Sequence, residues 1–386
     1  MDFALNEELL AMKEAARDFT QKEIVPYADQ WDEEHHFPID VVRKMADLGY
    51  FGCIIPEAYG GIEIGHLAQT LLTEEVARGS SSLRVAFNTQ CLGTAYSILR
   101  NGTEEQKKKW IPDLIAARKI GCFAITEPNS GSDVMSMKSV ARPDGDGYIL
   151  NGSKTWISCA AQADVAIVYA YHDRDQGSKG LSAFVVDMHL DGISTSNLDK
   201  LGTRSSPTGE IVFEDVRLPG DALLGKRGDG VKICFSSLNQ TRLSCAAGGV
   251  GLAQACLDTA VQYCNEREQF GQLVGHFQMN QELIANMSAE IEAARLLTYR
   301  AAWQKDQGQI GNVLETSYAK YLVGETVTRC AHSAMKILGA YGYSTEYPVA
   351  RFYRDAVCYQ IVEGTVNVQK MIIAQDQLGY RKANRK

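Results

Sequence analysis

The hydrophobic pattern of this chain changes period twice. Up to about residue 118 apolar side chains recur every three or four positions, as on one face of a helix. From Gly121 they gather instead in short runs rich in β-branched and aromatic residues, and from Val231 the helical period returns in four long stretches. That order predicts an α+β chain of three parts: an all-helical N-terminal domain over residues 1–118, a middle β barrel or sandwich over 119–228, and a C-terminal four-helix bundle over 229–386.

The punctuation supports this division. Asn6 reads as a helix cap, followed by Glu7 and Glu8 in the first turn and by Leu10, Ala15, Phe19 and Ile24 at helical intervals, with Pro26 as the stop. Further helical patterns cover 39–50, 66–78, 85–101 and 104–117. The β-rich runs are Phe123–Thr126, Tyr148–Leu150, Thr155–Ile157, Val165–Tyr171, Ser182–Val186 and Glu210–Phe213, and Asn151-Gly152 reads as a hairpin turn. Gly225, Gly228 and Gly230 mark a joint before helices expected at about 231–265, 277–307, 311–338 and 347–377. The small residues Ala246-Ala247-Gly248-Gly249 would let two of those helices approach closely.

Charge and composition exclude several functions. With 39 Lys and Arg against 47 Asp and Glu the net charge is −8, so no general attraction to nucleic acid or an anionic membrane is expected. Ten cysteines without a Cys-x-x-Cys pair argue against a zinc ribbon and fit buried thiols in a reducing cytosol. The start Met1-Asp2-Phe3-Ala4 lacks the pattern of a signal peptide, and no apolar run of about 18 residues suggests a membrane span, so a cytoplasmic location is expected. The seven histidines include no His-Glu-x-x-His spacing, and no metal is expected. The basic end, Arg381 to Lys386, reads as a solvated tail. No Gly-x-Gly-x-x-Gly follows a strand, so a nucleotide cofactor would have to bind at domain seams.

Two strings carry chemistry. Val362-Glu363-Gly364-Thr365 sets a carboxylate against a small-residue turn inside an apolar stretch, Ile361 to Ile373, where partial desolvation would suit a base that takes a proton from carbon. The second, Cys122 to Asp133, is an apolar strand followed by Pro, Gly and short hydroxyl side chains, whose unpaired donors suit a phosphate or a flavin edge. Each has an ordinary reading as a surface turn. Together they resemble the flavin-contacting signature and the Glu-Gly-Thr signature of the acyl-CoA dehydrogenase family, and the α, β, α layout matches that family over essentially the whole chain.

The resemblance implies an FAD enzyme in which Glu363 removes the α-proton of an acyl-CoA thioester while the β-hydrogen passes to flavin N5. The backbone N–H of Glu363 and a ribityl hydroxyl would polarise the thioester carbonyl. It implies flavin contacts from Phe123, Ile125, Thr126, Gly131, Ser132, Trp156, Ser158, Thr365 and Asn367, although Asn367 stands where the family often has Gln. Gly339 and Gly342 would approach the adenosine diphosphate part, and Arg267, Phe270 and Gln278 would reach the FAD of an adjacent subunit. Ser132, Gly364, Asn239 and Arg242 would contact the CoA thioester, with Asn239 where a carboxylate is common. The expected partners are an acyl-CoA, further copies of the chain in a homotetramer, and an electron-transferring flavoprotein as acceptor.

Arg84, in the string Ser80-Ser81-Ser82-Leu83-Arg84, bears on the acyl group. A buried arginine requires an anion, and Arg84 matches the place where glutaryl-CoA dehydrogenases hold the distal carboxylate; a snorkelling surface arginine is the ordinary alternative. Members that also decarboxylate carry a Glu seven residues before that arginine and a Tyr before the catalytic Glu, where this chain has Ala77 and Val362. The resemblance is therefore to the non-decarboxylating type, which stops at glutaconyl-CoA. Competing readings are a decarboxylating glutaryl-CoA dehydrogenase, a dehydrogenase of another short or cyclic acyl-CoA, a flavin oxidase or monooxygenase, and a catalytically silent CoA binder.

Overall fold

The computed structural model describes residues 4–384. The expectations for Met1–Phe3 and for Arg385-Lys386 lie outside the described residues. Seven helices come first: α1 Glu7–Glu23, α2 Ala28–Glu33, α3 Ile39–Asp47, α4 His66–Gly79, α5 Ser81–Ala86, α6 Ala95–Asn101 and α7 Glu104–Ile115. Asn6 caps α1 as its sequence suggests, accepting from the Leu9 N–H at 2.8 Å. Thr103 and Gln106 form a reciprocal capping box at the start of α7.

The helix expected over 85–101 is not continuous. Its first part, Phe87–Leu92, is wound as a π-helix, with the Gly93 N–H reaching back to the Asn88 carbonyl at 2.8 Å, and α6 restarts after Thr94. Gly93 also explains the break: a Cβ there would stand 2.8 Å from the Asn88 oxygen and 3.3 Å from Phe123 Cβ. The wide turn thus lets the next domain's first strand pack against the helix.

The middle part is built on strands β1 Gly121–Ala124, β2 Val140–Asp144, β3 Gly147–Ser158, β4 Val165–Tyr171, β5 Leu181–Asp187, β6 Ile193–Asn197, β7 Thr208–Leu218 and β8 Leu223–Leu224. They form one sheet in the order β6-β7-β3-β2-β4-β5-β8, with β1 parallel to β4 off that path. Asn151-Gly152 is not a hairpin turn. Both residues lie inside β3, at a register shift against β7 between Leu150 and Gly152, and Gly152 is needed because a Cβ would stand 2.7 Å from Ser139 Cα. The β2–β3 hairpin turns instead through Gly145 and Asp146.

After the sheet come α8 Gly230–Glu266, a short β9–β10 hairpin (Glu268–Gln269 and Gln272–Leu273), α9 Gln278–Asp306 and α10 Val313–Leu338. The last expected helix, 347–377, is in pieces: after α11 Ala340–Tyr343 come α12 Val349–Ala356, α13 Cys358–Ile361 and α14 Val366–Gln377. The interruption falls on Val362–Thr365. The described part of the basic end is solvated as expected, with Arg381, Lys382 and Asn384 exposed, and it is tied down where Asn384 accepts from the Leu314 N–H at 2.7 Å and Ala383 donates to Asp376 at 2.9 Å. Nine cysteines are buried and Cys358 is half-buried, all as free thiols. Among the described residues no helix is long and apolar enough to cross a membrane.

Helix α4 joins the N-terminal helices to the bundle by lying along α8. Its buried Glu74 meets Arg295 at 3.0 Å and Tyr299 at 2.7 Å, both on α9, so the carboxylate is paired across the seam. The backbones approach so closely that a Cβ on Gly251 would stand 2.1 Å from the Glu74 carbonyl oxygen. Gly251→Ala should therefore lower the melting temperature, at an overpacking cost of about 1–3 kcal/mol; an unchanged melting curve would show that α4 and α8 are not in this contact.

Candidate active site

The break in the last helix creates the site. Val362 is extended, Glu363 has φ 58° and Gly364 has φ 84°, and Thr365 then caps α14 by accepting from the Val368 N–H at 3.2 Å. Two successive left-handed residues cannot continue a helix, and for glutamate that conformation is strained by about 1–3 kcal/mol. The surroundings hold it there. Arg242, buried on α8, donates from Nε to the Glu363 carbonyl at 3.1 Å, and Gln369 donates to the Gly364 carbonyl at 3.0 Å.

The Glu363 side chain is gripped at both oxygens. Asn88 Nδ2, in the π turn, donates to Oε1 at 2.9 Å, and Thr241 Oγ1, on α8, donates to Oε2 at 2.5 Å. The Glu363 backbone N–H has no partner among the described residues. Sequence reasoning identified Glu363 but missed Asn88 and Thr241; a lone Asn in an apolar helix gives no signal, and Thr241 is marked only by its neighbour Arg242.

Arg84 lies one turn before Asn88 and is 3 % exposed. Its Nε and Nη1 have no hydrogen-bond partner, and its guanidinium sits 5.6 Å from the Tyr359 ring centroid. The surface alternative for Arg84 is thereby excluded. Burial pulls the Arg242 guanidinium and the Lys320 ammonium below their ordinary values, with the negative charge of Glu363 among the forces opposing it. The region around the carboxylate is rich in cations.

Three family models match the chain: the acyl-CoA dehydrogenase N-terminal domain over residues 6–118, the middle domain over 122–216 and the C-terminal domain over 228–378. The chain belongs to the acyl-CoA dehydrogenase family. A glutaryl-CoA dehydrogenase of Desulfococcus multivorans is 60 % identical over 389 residues, covering 100 % of both chains. A structure of a glutaryl-coenzyme A dehydrogenase glutaryl-CoA complex matches with a TM-score of 0.99 at 60 % identity, covering 100 % of this chain and 99 % of that one. The butyryl-CoA dehydrogenase of Megasphaera elsdenii matches at 0.95 and 35 % identity, covering 98 % and 100 %.

Acyl-CoA dehydrogenases are FAD-dependent oxidoreductases, and residues of this chain fit that cofactor. Trp156 is 59 % exposed because β3 slips register against β7 between Lys154 and Ile157 and the tryptophan takes φ 59°, presenting an apolar ring that needs a cover. The hydroxyls of Thr126, Ser132 and Ser158 have no hydrogen-bond partner among the described residues, and Gly131 has open space where a Cβ would point. Phe123 is half-buried against Tyr169, and Ile125 is buried in the core beside it. Thr126 is tied to the tryptophan strand by the Thr155 N–H at 2.9 Å. These groups can receive a flavin ring and its polar edge.

The loop that follows Thr126 is shaped by a buried ion pair that the sequence reading did not single out. Lys154, fully buried, donates to Glu127 at 2.8 Å and to the Ile125 carbonyl at 3.1 Å, while Glu127 also accepts from the N–H groups of Lys138 and Ser139. Burial works against the Glu127 charge, but Lys154 and these donors outweigh it and hold the carboxyl below its usual range.

The remaining predicted residues lie elsewhere. Asn239 is buried and donates to the Ile310 carbonyl at 3.2 Å, while Asn367 is exposed on the first turn of α14. Arg267 stacks on Tyr341 at 5.4 Å, near Gly339 and Gly342, with Phe270 93 % exposed in the β9–β10 turn and Gln278 opening α9 without a side-chain cap. Along α8 and its cap, Arg267 follows Thr241 by 26 residues (267 − 241), roughly 39 Å at 1.5 Å per residue. Arg267 and its neighbours therefore stand well away from Thr241 and the Glu363 carboxylate it holds.

Replacing Lys154 by Met leaves Glu127 buried without its cation, which should cost about 3–5 kcal/mol. The expected result is a lower melting temperature and loss of FAD on gel filtration, with partial recovery when Glu127→Gln is added. A single variant that melts and retains FAD like the parent would contradict the loop-shaping role.

Proposed function

We propose that this acyl-CoA dehydrogenase oxidises glutaryl-CoA to glutaconyl-CoA and leaves the distal carboxylate in place. The observation that carries the substrate is Arg84: a buried guanidinium with two unpaired nitrogens is costly unless an anion completes it. A distal carboxylate on the acyl chain supplies that anion, and the 60 % identity to a glutaryl-CoA dehydrogenase supports the same reading. The retained carboxylate is inferred from Ala77, packed and buried on α4, and Val362, which offer no polar group where decarboxylating members carry Glu and Tyr.

Glu363 is the proton acceptor. Its carboxylate takes the α-proton, and its unpartnered N–H together with the α14 N-terminus favours negative charge developing on the thioester oxygen. Bound FAD would supply the acceptor for the β-hydrogen and its electron pair. Arg84 orients the chain from the far end, so that α- and β-carbons stand at a fixed distance from the base. Asn239, Arg242, Ser132 and Gly364 would serve the CoA side.

The separation of Arg267 from Thr241 beside the base, roughly 39 Å along α8, supports an oligomer in which Arg267, Phe270, Gln278, Gly339 and Gly342 complete a neighbouring subunit's FAD site. A homotetramer passing electrons to an electron-transferring flavoprotein is the form the family resemblance implies.

Glu363→Gln should bind FAD normally but fail to bleach it on addition of glutaryl-CoA under anaerobic conditions; persistent bleaching would place the base elsewhere. Arg84→Ala should raise KM for glutaryl-CoA by about 100-fold while changing butyryl-CoA little, and equal effects on both would defeat the carboxylate assignment. Product analysis should find glutaconyl-CoA; stoichiometric crotonyl-CoA and CO2 would reject the retained carboxylate.

A further inference from the structure

Cations surround Glu363, yet none binds its carboxylate. Arg242 is tied to the Glu363 backbone carbonyl, Lys320 donates to the Tyr359 carbonyl at 2.6 Å, and Arg84 rests on the Tyr359 ring. Among the described residues the Glu363 carboxylate is in no ion pair within 4.0 Å, the reach of such a contact. It is held only by two uncharged donors, one per oxygen, which come from different domains: Asn88 from the π turn and Thr241 from the first bundle helix.

This division of labour has a chemical consequence. A guanidinium or ammonium bound directly to the carboxylate would stabilise its charged form strongly and weaken it as a base. A glutamate with no partner would keep its basicity but sample several rotamers, and misplacement by 1 Å can cost a large factor in rate. Neutral donors fix both oxygens with much less loss of basicity, and each oxygen retains a lone pair for the incoming proton. The π turn contributes directly, because its wider winding sets Asn88 in the helix wall one turn from Arg84, where its amide reaches the base.

We infer that Asn88 and Thr241 are positioning residues that aim Glu363 at the substrate α-carbon through a clamp of neutral hydrogen bonds. The inference rests on Glu363 being the proton acceptor. It assigns the two residues no contact with FAD and no part in binding the thioester.

The test uses FAD-loaded enzyme with Thr241→Val and Asn88→Leu, both close in size to the parent side chains, and Thr241→Ser as the rescue. Each of the first two should lower kcat by about tenfold or more with KM within about threefold. Both should also enlarge the primary isotope effect on α-deuterated glutaryl-CoA, while FAD content, visible spectrum and melting temperature stay near the parent. Thr241→Ser should recover most of kcat. The clamp is overturned if Thr241→Val keeps kcat within about twofold, or if KM rises with kcat unchanged, which would make these residues substrate contacts. Should Glu363→Gln turn over at the parent rate, the proton-acceptor reading itself fails; a dead Glu363→Gln beside fully active Thr241→Val and Asn88→Leu sinks the clamp alone.

Discussion

The hydrogen bond from Arg242 Nε to the Glu363 carbonyl holds the chain in a conformation it would not otherwise keep. Glu363 and Gly364 are both left-handed, which ends one helix and forces a second to begin at Thr365. Without an anchor from α8 the strain at Glu363 would relax toward a continuous helix, with the carboxylate rotated away from Asn88 and Thr241. Fixing the backbone from α8 and the side chain from both α8 and the π turn makes the position of the base a property of the whole domain arrangement.

That arrangement explains why close backbone contacts recur near the site. Gly251 lets α8 lie against α4, Gly93 lets β1 lie against the π turn, and Gly248 leaves room for the Arg84 stem, since a Cβ there would stand 2.7 Å from Arg84 Cγ. Each contact removes a side chain where two elements must approach to deliver one functional group. Buried charges follow a similar logic: Glu74 and Glu127 are fully partnered, whereas Arg84 retains two unpaired nitrogens. A buried cation left incomplete among satisfied neighbours marks the place for an anionic ligand.

Much of this was legible in the sequence. The two changes of hydrophobic period gave the α, β, α order, and Glu363 could be selected as a carboxylate at a small-residue turn in an apolar stretch, whereas Arg84 and Trp156 were singled out through the family resemblance. The interruptions were harder to see. The periodicity of 85–101 and 347–377 is helical throughout, because a π turn and a two-residue break shift phase only slightly, and the competing tertiary contacts of Gly93 and Arg242 are invisible locally. Asn151-Gly152 misled for a related reason: it has the chemistry of a tight turn, but a bulge also needs a glycine, and only the packing of Ser139 distinguishes them. Asn88 and Lys154 went unnoticed since nothing in an apolar helix or a strand announces what a buried polar side chain will meet.

The central claim is that the Glu363 carboxylate removes the proton next to the thioester, and exchange with solvent tests it without requiring turnover. A glutaryl-CoA analogue with sulfur in place of the β-carbon keeps the α-protons and the distal carboxylate but has no β-hydrogen to lose. Incubated with the FAD-loaded protein in D2O, it should take up deuterium at the α-carbon, and the exchange should vanish in Glu363→Ala. Exchange at the same rate in that variant would contradict the account.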